Sequence, residues 1–142
     1  MSAVPTVAAG GGRYLLDTNI VSHAIRAKDA GLLARIAQTP MGRIAISSVT
    51  LAELEYGWQR IGRPPGLRLR IDAFMLRVEV LLWDDGVARC YGEVRAAWEA
   101  RGVSLGDLDM MIAAHAVAAD CILVSRDRAF GHVPDRLTLE VW

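Results

Sequence analysis

The chain has 142 residues, 53% hydrophobic and 23% charged, with a formal net charge of zero and a mean hydropathy of +0.26. That length suits one domain able to bury a real core, and the composition excludes a disordered chain. Zero net charge excludes a generic polyanion binder held by bulk charge alone.

Residues Met1 to Gly12 lack the charged-then-apolar order of a signal peptide. Their Ala, Pro and Gly content predicts a flexible tail over 1–12, which leaves 13–142 as the domain. Tyr14-Leu15-Leu16 is an apolar run of strand length that stops at Asp17-Thr18-Asn19, with a helix from Ile20 to about Ala27 after it. A second helix is expected from Gly31 to Gln38, before the Thr39-Pro40 break, and a short buried strand at Ile44-Ala45-Ile46. Ser47 or Ser48 can cap the next helix, whose apolar stripe runs Leu51, Leu54, Trp58 and Ile61 before Gly62, Pro64, Pro65 and Gly66 end it. An arginine-bearing helix to about Val78 and a strand at Val80-Leu81-Leu82 follow. Asp84 or Asp85 can cap a helix carrying Val87, Tyr91, Val94 and Trp98 and ending near Gly102. Met110 to Ala119 is almost wholly apolar, as in a helix buried on most sides. Ile122-Leu123-Val124 is the clearest strand and ends at Ser125-Arg126-Asp127, and a last strand is expected from Leu137 to Val141. Strands alternating with helices imply a three-layer α/β domain with a central parallel sheet covered on both faces.

In such sheets ligands bind beyond the carboxyl ends of the strands, so the acids at those ends are informative. Asp17 follows the first strand and Asp127 follows the Ile122–Val124 strand. Glu53 lies early in the helix leaving the Ile44–Ile46 strand, on a flank near Thr50 and Gly57, where spacing alone does not choose it over Glu55. Asp109 opens the buried helix, with Asp107 as the expected cap. Each acid alone could be a cap or a solvated loop residue, but together they can converge on one rim. Crowded carboxylates raise one another's pKa unless a cation neutralises them, and hard oxygen donors suit Mg²⁺ or Mn²⁺ rather than zinc or copper.

Other chemistry is poorly represented. Cys90 and Cys121 lie far apart without a CxxC or a neighbouring His, which favours free thiols in a reducing cytoplasm over a disulfide framework or zinc site. His23, His115 and His132 show no metal-ligand spacing, and His115 is expected to pack in the buried helix. No apolar run is long enough to span a membrane. Lys28 is the only lysine, so the positive charge is carried by arginine, the residue suited to bidentate phosphate contacts. Arg60, Arg63, Arg68, Arg70 and Arg77 could serve phosphates, a partner's acids or only a solvated face, while Arg126 and Arg128 lie nearer the acids and are favoured as substrate contacts.

Four stretches resemble the PIN-domain family, and most closely the VapC-type toxins of bacterial toxin–antitoxin pairs. They are Leu15-Leu16-Asp17-Thr18-Asn19, Ser48 to Gly57, Asp109 to Ala116 and Ser125 to Phe130, in the family's order and covering nearly the whole chain from Tyr14. The resemblance implies a three-layer α/β/α PIN-like domain and a Mg²⁺-dependent endoribonuclease, Mn²⁺ being possible, that cuts RNA such as tRNA or rRNA and so inhibits translation. It makes Asp17 the first metal ligand and prefers Glu53 over Glu55. It also prefers Asp109 over Asp107, which is left as an additional acid, and adds Asp127. Thr18 or Asn19 would support the site. It further implies a cognate VapB-like antitoxin, a homodimer and a cytoplasmic setting. Two alternatives differ in kind. A haloacid-dehalogenase-like phosphotransferase would need an acid where Asn19 stands and a lysine after Lys28, and this chain has neither. A non-catalytic RNA- or protein-binding module with the same fold would be marked by loss of a ligand acid, and all four are present.

Overall fold

The computed structural model describes residues 12–142, so most of the expected tail, residues 1–11, lies outside the described residues. Gly12 is buried with a positive φ of 58°, and its carbonyl accepts a hydrogen bond from Arg43 Nε. It therefore packs with the domain.

Five strands form one parallel sheet in the order β3-β2-β1-β4-β5. They are β1 (Tyr14–Leu16), β2 (Ile44–Ser47), β3 (Glu79–Leu81), β4 (Ile122–Val124) and β5 (Thr138–Glu140). Among the described residues six α-helices accompany them: α1 (Thr18–Arg26), α2 (Ala30–Gln38), α3 (Ser48–Arg60), α4 (Pro65–Met75), α5 (Asp85–Ala100) and α6 (Asp107–Ala118), with 3₁₀ turns at Met41–Arg43 and Arg128–His132. The chain moves outward from β1 through β2 to β3, then returns to the other side of β1 for β4 and β5. The strand order therefore reverses between β1 and β4, which opens a crevice at their carboxyl ends.

The central strands are apolar throughout because both faces are covered, and their alternation divides the core in two. Leu15, Ala45 and Leu123 point to one layer, where they meet Val94 and Trp98 of α5 and Met110, Ile112 and Ala113 of α6. Leu16, Ile44, Ile46 and Val124 point to the other, where Ile20, Val21, Leu32, Ile36, Leu54, Ile71 and Phe74 come from α1 to α4. Register ties the layers together, with Leu16 opposite Val124 and Ser47 opposite Leu81. The edge strands β3 and β5 are only half covered, which accounts for their weaker hydrophobic signal.

The expected elements are all present, with shifts that have local causes. Helix α1 starts at Thr18 rather than Ile20, because Asp17 itself is the cap and accepts from Ile20 N. Ser47 is the cap of α3 and Asp84 that of α5, which settles both open choices. The stripe on α3 stops at Trp58: Ile61 lies past the helix end, 57% exposed, where Gly62 at φ 92° turns the chain away. Trp58 is held instead by an Nε1–H bond to the Pro64 carbonyl. Asp107 is not the cap of α6. Gly106 takes that position without a side-chain bond, and Asp107 is the first helical residue. Leu82 falls beyond β3 and is exposed, and β5 covers Thr138–Glu140 rather than Leu137 to Val141.

Candidate active site at the carboxyl edge of the sheet

Asp17 leaves the end of β1 and is buried at the reversal point. Its Oδ1 accepts from Ile20 N at 2.8 Å and its Oδ2 from Ser125 Oγ at 2.5 Å. Ser125 follows β4 and is itself buried; its Oγ also accepts from Asp127 N at 3.0 Å. The turn after β4 thus runs from the Asp127 amide through the Ser125 hydroxyl to the Asp17 carboxylate. Asp127 Oδ1 is partly engaged, accepting from Ala129 N at 2.9 Å.

Glu53 approaches from α3. Thr18 Oγ1 donates to Glu53 Oε1 at 2.6 Å and lies 3.1 Å from Thr50 Oγ1. A threonine hydroxyl has one proton, so Thr50 must donate to Thr18 while Thr18 donates to Glu53. Thr18, not the exposed Asn19, therefore provides the polar support. Glu55 points elsewhere: both its oxygens accept from Arg68 of α4, at 2.9 and 2.8 Å, and the pairing holds its pKa below the usual carboxylate range.

Asp109 lies on the first turn of α6, where the helix end favours negative charge. Burial raises its pKa first, and Asp127, Asp17 and Glu53 raise it further by like-charge repulsion. All three other acids therefore sit close enough to Asp109 for their charges to be felt. Asp17 is also raised, chiefly by burial and secondarily by Asp127; the bonds from Ser125 and Ile20 and the charge of His23 act the other way. Asp107 is outside this group, its side chain 83% exposed and ion-paired with Arg95 at 3.4 Å.

The residues match a hard divalent cation in donor chemistry. Among the described residues, neither oxygen of the partly buried Asp109 accepts a protein hydrogen bond, and Glu53 Oε2 has no protein donor. Among the described residues ion pairs elsewhere use Asp29, Asp72, Asp85, Asp107, Asp135 and several glutamates, but none includes Asp17, Glu53, Asp109 or Asp127. Like charges without a counterion are costly at a half-buried edge. Among the described residues no three acids stand at the spacing of a ready-made metal cluster. The rim is an open set of oxygen donors.

Two other expectations change. Arg126 is committed to structure, bonding Asp29 at 2.6 Å and the Trp142 carbonyl at 2.7 Å, so it is not a free substrate contact. Arg68 is likewise neutralised by Glu55 and Asp72. Arg128 is exposed. His115 is buried as expected, its Nδ1 2.9 Å from Ser47 Oγ, and burial lowers its pKa, which keeps the ring neutral. Ser125 was missing from the sequence-derived site. Its only local signal was a hydroxyl two residues before Asp127, immediately after a buried strand.

The PIN domain family profile matches residues 14–136. The ribonuclease VapC2 of Rickettsia felis is 35% identical over 134 residues, covering 91% of this chain and 97% of that protein. The tRNA(fMet)-specific endonuclease VapC of Shigella flexneri is 36% identical over 115 residues, covering 81% and 86%. Among solved structures, VapBC2 from Rickettsia felis bound to a promoter DNA fragment aligns with TM-score 0.83 and 33% identity, over 91% of this chain and 98% of that one. DNA-bound VapBC from Salmonella typhimurium aligns with TM-score 0.84 and 32% identity, over 92% and 98%. The chain belongs to the PIN-domain family, among its VapC ribonucleases.

Proposed function

We propose that this ribonuclease is a Mg²⁺-dependent endonuclease acting on RNA, with Mn²⁺ able to substitute, and that Asp17, Glu53, Asp109 and Asp127 form its catalytic and metal-binding site. The observation that carries the proposal is the run of bonds from the Asp127 amide through the Ser125 hydroxyl to the Asp17 carboxylate, beside the Thr18-bonded Glu53 at the same sheet edge. The like-charge repulsion that raises the Asp109 pKa agrees with it. Bound among these oxygens, Mg²⁺ would polarise the scissile phosphate and lower the pKa of the attacking water. The chain's own part is to prepare the donors. Ser125 and the Ile20 amide hold Asp17 from two sides, and Thr18 holds one oxygen of Glu53 while leaving the other available. Asp127 stays close to Asp17 because its amide is bonded to the same Ser125. Carboxylates fixed in this way must stay ionised to bind a cation, so protons compete with the metal.

The chain is further proposed to be the toxin of a toxin–antitoxin pair, forming a homodimer, restrained by a VapB-like antitoxin and acting in the cytoplasm on RNA such as tRNA or rRNA. Support comes from the VapBC complexes among its structural relatives and from the tRNA specificity in the name of the Shigella flexneri relative. No described helix is long and apolar enough to cross a membrane.

The test is cleavage of structured RNA, tRNA included, with EDTA, then with Mg²⁺ or Mn²⁺ restored. Wild type should cut only with metal, and Asp17→Asn should be inactive while still folded. Cleavage in EDTA, or full activity of Asp17→Asn, would refute the site; a metal-loaded protein inert on every RNA would favour a binding module.

A further inference from the structure

One face of α3 continues from the acidic rim into an open cleft. Glu53, Tyr56, Gly57 and Arg60 occupy helical spacings of three, four and seven residues, so they share that face. They border a depression of about 710 Å³, closed on its far side by Leu108 and Met111 of α6. A second depression of about 320 Å³ shares Thr18, Glu53, Gly57 and Arg60 and reaches Ser22 and Arg26 of α1. The two meet over Gly57, where an added Cβ would find no atom within 4 Å. Volumes of this size accommodate small-molecule-sized groups such as single nucleotides.

The lining is chemically selective. Tyr56 is 67% exposed beside the cleft, and Leu108, Met111 and Val49 give it an apolar wall. Arg60 and Arg26 form no ion pair among the described residues, unlike Arg68 one helix away. An exposed aromatic ring, two uncommitted guanidinium groups and a bare glycine between them suit a base, its phosphates and a passing backbone.

We propose that the Tyr56–Gly57–Arg60 face of α3 is a substrate subsite for single-stranded RNA. A base next to the scissile phosphate stacks on Tyr56, the backbone crosses over Gly57, and Arg60, assisted by Arg26, holds a flanking phosphate. The subsite rests on the ribonuclease assignment and specifies how an unpaired segment is led past Glu53. It also assigns different roles to arginines that look alike in sequence: Arg60 faces substrate and Arg68 holds α3 against α4.

The experiment measures RNA affinity in an Asp109→Asn background and steady-state cleavage in the active protein, using a single-stranded oligonucleotide carrying 2-aminopurine. Loss of one stacking contact corresponds to about 5- to 150-fold in Kd. Tyr56→Ala should weaken binding by that range and abolish fluorescence quenching, while Tyr56→Phe restores both. Arg60→Gln should reduce the slope of log Kd against log salt by about 0.7, the value for one phosphate on a single strand. Gly57→Leu should fill the saddle and raise KM while leaving kcat within a few fold and the fold intact. Unchanged affinity, quenching and KM in all variants of an active wild type would overturn the subsite while leaving the ribonuclease assignment standing. A change only in self-association or in binding to a protein partner would overturn it in favour of a protein contact.

Discussion

Removing the Ser125 hydroxyl should expose the connection between site architecture and stability. In Ser125→Ala, Asp17 Oδ2 loses its donor and the Asp127 amide loses its acceptor, in a place where the serine is 1% exposed and Asp17 4%. A hydrogen bond to a charged group contributes about 1.5–3 kcal/mol to stability. With an unfolding entropy of about 2.1 cal/mol/K per residue, a chain of this length loses about 5–10 °C in Tm for that change. The loss is set by the ionised form of Asp17. The Ser125 bond lowers the Asp17 pKa, so its contribution is fullest at neutral pH and fades as pH falls through the burial-raised pKa of that group. The metal should feel the change as well, because orienting partners of ligand groups are worth about 10- to 100-fold in affinity or activity. Calorimetry at neutral and acidic pH in EDTA, followed by Mn²⁺ titration, measures all three effects. An unchanged Tm and an unchanged metal affinity would show that Ser125 does not position Asp17. A Tm deficit of the same size at every pH would show that the bond does not act on the ionised carboxylate.

Further outcomes follow from the same geometry. Asp17 and Asp109 both titrate above the ordinary carboxylate range, so the folded protein binds protons there that the unfolded chain has released. Their ionised forms cost stability at neutral pH, and the cost is relieved as pH falls through the raised values. Buried His115, its pKa lowered in the fold, and then the depressed acids Asp29 and Glu55 act against this as pH falls, so the effect is read as a difference. Metal-free wild type should gain stability relative to Asp109→Asn from neutrality into weak acid, and a difference independent of pH would contradict this. Asp109→Asn should raise the Tm in EDTA by relieving repulsion and eliminate cleavage, whereas a lower Tm would mean that the charge is compensated in the fold. Thr18→Val keeps shape but removes the donor to Glu53, and activity should fall by about 10-fold or more; kinetics equal to wild type would remove Thr18 from the site. Trp98→Ala empties a fully buried position in the α5–α6 layer and should cost about 3–5 kcal/mol without altering metal affinity in the fraction that remains folded, as titration at low temperature would show.

The strands were legible because burial on both faces writes an uninterrupted apolar run, and Asp17 and Asp127 were legible because a polar stop follows each run directly. Glu53 against Glu55 was not a local question. It turns on Arg68, thirteen positions beyond Glu55, which α4 brings back against α3 to claim that acid. Asp107 looked like a cap because aspartate favours that role, yet the backbone places Gly106 there and leaves Asp107 to Arg95. Arg126 seemed close to the acids in sequence, but Asp29 and the final carbonyl at Trp142 lie across the turn and bind it. Ser125 stayed hidden because its value lies in reaching Asp17, 108 residues earlier, through the pairing of β1 with β4. Sequence spacing names the acids at strand ends. Contacts between elements decide which acids remain unpaired.

The most direct test of the central claim is anomalous diffraction from crystals soaked in Mn²⁺, collected alongside Asp109→Asn crystals treated identically. An anomalous peak between the Asp17 and Asp109 carboxylates, with Glu53 or Asp127 drawn toward it and no peak in the variant, is the predicted result. A peak elsewhere, or an empty acidic rim at Mn²⁺ concentrations that support RNA cleavage, would contradict the account.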